Sequence, residues 1–148
     1  MLSGLGVSST SETLYTFEAG EEFLKEEVGS GKMFGQVWLD IEDNPSSGCS
    51  WYSYSTSSNC EFLQELISAV QSHGITVGVY TSEYEWENTM GSLSACPEAS
   101  SVQLWYAHYD GSRTFSDYVR IGGWSSPAIK QFLGDRSACG VGIDLNWY

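Results

Sequence analysis

The stretch VWLDIEDNP, Val37 to Pro45, sets three carboxylates, Asp40, Glu42 and Asp43, at the end of an apolar run. Val37-Trp38-Leu39 reads as a buried strand. A carboxylate beside a dry interior is costly unless it is paired or used. Residues i and i+2 of a strand point to the same face, so Asp40 and Glu42 project together, about 7 Å apart along it. Like charges held that close push one carboxyl's pKa up, and partial burial adds to the rise. A carboxylic acid that keeps its proton near neutral pH can donate it to a leaving oxygen. Capping or solvation of the acids, or shared binding of a hard cation with Asp110 or Asp144, are the competing readings. Asp43 precedes Asn44-Pro45 and reads as a turn former.

Outward from this strand, Thr13 to Val28 has a helical stripe of Phe17, Leu24 and Val28, while residues 1–12 are small, polar and expected to be loose. Downstream, Ser58 and Glu61 form a possible capping box. Phe62, Leu63, Leu66, Ile67 and Val70 then share one helical face that stops at His73-Gly74. ITVGVY, Ile75 to Tyr80, is the second strand, and Ser82 with Glu85 opens a short helix through Trp86 and Met90. Strands follow at Ser101–Tyr109, Ala128–Gly134 and Gly140–Tyr148. Five strands, the first three alternating with helices, predict an α/β fold with a mostly parallel sheet or partial barrel.

In that frame the polar groups gather at the C-terminal ends of the strands. Asp40 and Glu42 end the first, Tyr80 and Thr81 the second, and His108, Tyr109 and Asp110 the third. Gln131 is expected late in the fourth, Asp144 and Asn146 late in the fifth. The C-terminal end of a β/α barrel is where its loops converge into a site.

The 148 residues fit one domain. A net charge of -13 with six Lys and Arg excludes a nucleic-acid partner, whose phosphates need clustered cations. It also disfavours an anionic membrane surface. Aromatics make up 14% of the chain, weighted to Trp and Tyr, whose apolar face and hydrogen-bonding edge suit sugar or peptide surfaces, with an aromatic-rich core as the competing reading. No metal or cofactor is expected. The cysteines are Cys49, Cys60, Cys96 and Cys139, an even count without zinc-site spacing, which fits disulfides and an oxidising compartment.

VWLDIE, GVYTSEYEW, LWYAHYDG, IGGWSSPAIKQFLGD and CGVGIDLNWY, in this order and spacing, resemble the glycoside hydrolase family 25 lysozymes of invertebrates and amoeboid protists. The likeness runs from about Glu18 to Tyr148, one lysozyme-like domain. It implies about five of the eight strands of a modified TIM-like β/α barrel. It implies an N-acetylmuramidase, cutting the β-1,4 bond from N-acetylmuramic acid to N-acetylglucosamine in peptidoglycan. Glu42 maps onto the general acid. Asp40 maps onto its partner, stabilising charge or orienting the 2-acetamido group, and Asp144 onto a further active-site carboxylate. Tyr80 and Trp105, with Tyr109, Gln131 and Asn146, are the expected substrate-binding residues.

The partner implied is the bacterial glycan strand, met by a secreted, lysosomal or phagosomal monomer. The family's opening strands and their G-x-D-V-S-like motif have no counterpart here, so an N-terminally incomplete lysozyme is expected. The rival function is a peptidoglycan- or sugar-binding relative that does not cut. Cys49–Cys60 and Cys96–Cys139 are the expected disulfides. The first pair would lie at the barrel's C-terminal face and the second at the opposite face, whereas the other pairings would exceed the roughly 7 Å Cα limit.

Overall fold

A computed structural model describes residues 35–43 and 50–148. The expected Thr13–Val28 helix, residues 1–12 and Cys49 lie outside the described residues. Five strands form one sheet in the order β1-β2-β3-β4-β5: β1 Val37–Asp40, β2 Val77–Ser82, β3 Gln103–Ala107, β4 Ile129–Ala138 and β5 Val141–Trp147. The first four run parallel, and β5 returns antiparallel to β4. Helix α1, Thr56–Ser72, connects β1 to β2, and α2, Glu83–Met90, follows β2. The result is a curled half-barrel with helices on its outer side.

Local chemistry explains each boundary. The α1 helix begins one turn before the expected Ser58–Glu61 box, because Ser55 is the cap: its Oγ accepts from the Ser58 N–H. Leu63, Leu66, Ile67 and Val70 form the buried stripe, and His73-Gly74 ends the helix with Gly74 at φ 72°. In α2, Ser82 Oγ accepts from the Glu85 N–H, and Gly91 closes the helix in the left-handed region. Truncating one core leucine, such as Leu66, would cost on the order of 2–5 kcal/mol.

The period-2 expectation for β1 holds. Val37, Leu39 and Ile41 are buried under the helices, while Trp38, Asp40 and Glu42 alternate onto the inner face. Trp38 meets Trp105 edge-on at 5.6 Å, and Trp105 meets Tyr80 at 5.0 Å. Gly78 admits this layer, since a Cβ there would overlap the Trp38 ring.

Two expectations need correction. Gln131 is the third residue of the ten in β4, not a late one, and β5 does not run with the others. The polar groups still converge because β4 starts level with the end of β3: Ala107 pairs with Gln131, and Gln131 with Asn146. The second correction concerns the cysteines. Cys60 bonds to Cys96, with Cα atoms 5.0 Å apart. Cys139 is exposed and unpaired among the described residues. The expected layout placed Cys96 at the far rim. Helix α2 is only eight residues long, and the 3-10 turn after it, Pro97–Ser101, packs on α1. That brings Cys96 to the start of α1 instead.

Candidate active site

Glu42 lies just past β1 and lines a cleft of about 480 Å³ with Tyr80, Tyr106, His108 and Tyr109, facing Glu83, Tyr84 and Glu85 of α2. Its backbone is anchored by two residues that carried no signal in the sequence. Trp51 Nε1–H donates to the Glu42 carbonyl at 3.0 Å. Buried Asn59 donates from Nδ2 to the carbonyls of Trp51 and Thr89, tying the loop after β1 to both helices. Thr81 fixes the preceding residue, its hydroxyl donating to the Ile41 carbonyl at 2.8 Å. Asp43 is exposed, and its N–H donates to Glu85 Oε2 at 2.8 Å, so its part is in the loop.

Asp40 sits one pleat deeper than Glu42. Burial first, then hydrogen bonding and charge from Glu42, then the charge of Glu85, push its carboxyl up to about 8. Asp40 Oδ1 is buried and has no hydrogen-bond partner among the described residues. A lone carboxylate there would be strongly disfavoured, so the proton stays on through neutral pH. The i, i+2 pair therefore behaves as a unit that holds a proton, with Glu42 its member on the cleft.

The remaining predicted residues form a second connected group. Tyr80 and Tyr109 both donate to Gln131 Oε1, each at 2.7 Å. Gln131 Nε2 donates to Asp144 Oδ2 at 3.1 Å, and the Asp135 N–H donates to Asp144 Oδ1 at 3.0 Å. Burial first, then Tyr109, raises the Tyr80 phenol above its ordinary pKa, which keeps it a donor. Trp105 Nε1–H donates to Asn146 Oδ1 at 2.8 Å. Asp40, Trp105, Gln131, Asp144 and Asn146 are not among the cleft's lining residues. Gln131 links two of the cleft's tyrosines, Tyr80 and Tyr109, to Asp144.

Sequence reasoning missed a cluster at the end of β3. Fully buried Lys130 donates to Asp110 at 2.9 Å and Asp117 at 2.8 Å, and His108 Nδ1 lies 2.6 Å from the same Asp117 oxygen. His108, Asp110 and Asp117 place their ligand atoms within 4.8 Å of one another, close enough to share a cation. The Lys130 ammonium already bridges both carboxylates. The contacts span 13 and 20 residues, so no local pattern announces them.

A family model described as Lysozyme-like protein 1 matches residues 11–132. Among curated relatives, "Probable GH family 25 lysozyme 4" of Dictyostelium discoideum is 45% identical over 120 residues, 81% of this chain and 52% of that protein. "Counting factor 50" of the same organism is 43% identical over 80% of this chain and 37% of that one. The solved muramidase from Acremonium alcalophilum superposes with a TM-score of 0.57 at 28% identity, over 75% of this chain and 49% of that chain. This chain thus spans about half or less of the length of these proteins.

Proposed function

The chain belongs to the lysozyme-like family within glycoside hydrolase family 25, and from that membership we propose that it serves as a muramidase on bacterial peptidoglycan. The observation that carries the reading is the placing of Glu42 in the cleft with the proton-holding Asp40 behind it. Glu42 delivers a proton to the glycosidic oxygen between N-acetylmuramic acid and N-acetylglucosamine. Asp40, sharing that proton, restores it to Glu42 and limits the like-charge repulsion between them. As the bond breaks, positive charge grows on the sugar ring and a carboxylate on the inner face stabilises it; water then adds to the anomeric carbon, and the proton it releases returns to the Glu42–Asp40 pair. Asp40 stays protonated near neutral pH, so Asp144 takes that part, held by Gln131 and the Asp135 N–H. Tyr80 lines the cleft as an apolar wall for the sugar faces, and Trp105 packs edge-on behind it. Action on walls places the protein outside the cell or in a digestive compartment, which agrees with the Cys60–Cys96 disulfide.

The test is digestion of purified peptidoglycan by the chain, followed by borohydride reduction and identification of the new reducing ends. Muramitol with the wild type and none with Glu42→Gln is the expected result. Equal release by both, or reduced glucosamine ends instead, refutes the assignment. The alternative reading is a glycan-binding relative that does not cut. Wall pull-down without any new reducing ends is its signature.

A further inference from the structure

We propose that His108 is a substrate-binding residue that takes the carboxylate of an acidic sugar through its Nε2–H, a role that rests on the glycan reading above. The ring is already committed on its other side. Nδ1 lies 2.6 Å from Asp117 Oδ2, and that same oxygen accepts from the buried Lys130 ammonium at 2.8 Å. Lys130 foremost, with His108 contributing, holds the Asp117 carboxyl down to about 2. Asp117 is therefore ionised and only accepts, so Nδ1 must carry a proton. The ring also packs against Tyr106 at 5.8 Å between centroids. Its orientation is fixed, about half of the side chain is open, and Nε2 is the polar atom left for a ligand.

The surroundings decide what that atom can hold. Among the described residues no Lys or Arg lines the cleft, whereas Glu42, Glu83, Glu85 and Glu87 do. Lys130 spends its charge on Asp110 and Asp117. Protonated His108 is thus the lining group that offers an anion a cation, and a sugar acid entering the cleft is repelled by the carboxylates and held at the imidazolium. Neutral, the same nitrogen has no proton to donate and cannot hold a carboxylate. Carboxylate binding and ring protonation therefore favour each other. The charged neighbours acting on this equilibrium are Asp117, Asp110 and Lys130 beside the ring and the α2 carboxylates in the cleft.

The chain contains two histidines, so imidazole NMR resolves the site with His73 as internal control. The full chain is titrated near pH 6 with N-acetylmuramic acid and, separately, with uncharged N-acetylglucosamine. The acidic sugar is expected to shift the His108 resonances and raise the pH midpoint of that ring, leaving His73 in place, while the neutral sugar leaves the midpoint unchanged. His108→Gln is expected to bind the acidic sugar about tenfold more weakly, the scale of one charge-assisted hydrogen bond, with N-acetylglucosamine binding unaltered. An unmoved His108 signal, or equal binding of the acidic sugar by the variant, overturns the proposal. Reducing-end release is measured in parallel. A His108 response without hydrolysis refutes the enzymatic reading alone, and hydrolysis with a silent His108 refutes this one alone.

Discussion

Replacing Asp40 with Asn should stabilise the fold at neutral pH and flatten its pH dependence. Folding raises this carboxyl from 3.8 to about 8, chiefly through burial. Between those values the native state holds a proton that the unfolded chain has released, so stability falls as pH rises through the window and is greatest below it. Each pH unit corresponds to about 1.4 kcal/mol, which sets a ceiling of about 6 kcal/mol across the window. Water reaching a half-buried site reduces this, and a loss on the order of 2–3 kcal/mol is expected between pH 4 and 8 for an effective dielectric of about 20. Asn matches the neutral acid in shape and never ionises. Asp40 Oδ1 has no partner to lose, so the amide incurs little offsetting cost. Urea unfolding of both proteins, one pH unit at a time, reads the difference directly. Parallel stability curves for wild type and Asp40→Asn would refute the argument, as would a variant that is less stable than wild type at pH 8.

Glu42→Gln should keep the fold and lower reducing-end release on the order of 100-fold or more, the usual scale for one acid–base group; circular dichroism and the borohydride assay check both halves. A non-reducing peptide map should show Cys60 joined to Cys96, and Cys60→Ser with Cys96→Ser should cost about 3–4 kcal/mol in urea unfolding for the 36-residue separation. Replacing both Asp110 and Asp117 with Asn strands the buried Lys130 ammonium and should cost about 3–5 kcal/mol, whereas adding Lys130→Met to that double variant should recover much of the loss. Gly78→Ala should displace the Trp38 ring and change tryptophan fluorescence and near-ultraviolet circular dichroism while leaving helix content alone.

The strands and helices were legible where one face meets a core. Period 2 in β1 and the 3.6 stripe in α1 are consequences of burial, and both appear in the structure as read. The cap at Ser82 and the stop at His73-Gly74 were visible because a free N–H and a left-handed turn each demand particular residues. The direction of β5 was not. A strand's composition carries no polarity, and the hairpin that reverses it turns on Cys139 and Gly140, both at positive φ. Gly there is ordinary, but a cysteine with φ 53° is a turn that sequence gives little reason to expect. The disulfide was misplaced for a similar reason, since the short length of α2 decides where Cys96 falls. For the site, Asp40 and Glu42 came from local spacing. Trp51, Asn59, Lys130 and Asp117 act across the fold, and only tertiary geometry brings them to it.

Lys130, Asp40 and Tyr80, ionisable groups taken out of water near the site, are handled in two different ways, and the difference separates support from chemistry. Lys130 is fully buried and charged, answered by two aspartates at hydrogen-bond distance. An ion pair of that kind fixes geometry, here the ends of β3 and β4 and the plane of His108. Asp40 and Tyr80 receive no cation. Each stays neutral by holding its proton, Asp40 up to about 8 and Tyr80 beyond its ordinary range, both chiefly through burial. A fold seeking only stability could have placed Asn or Leu at position 40, since Oδ1 makes no hydrogen bond that would be lost. Keeping a carboxyl there leaves a proton that can move, next to Glu42, which faces the cleft. A cation set beside Asp40 would have abolished that proton. The distribution of charge thus separates two kinds of site: paired ions hold the frame, and an acid without a cation retains a proton beside Glu42.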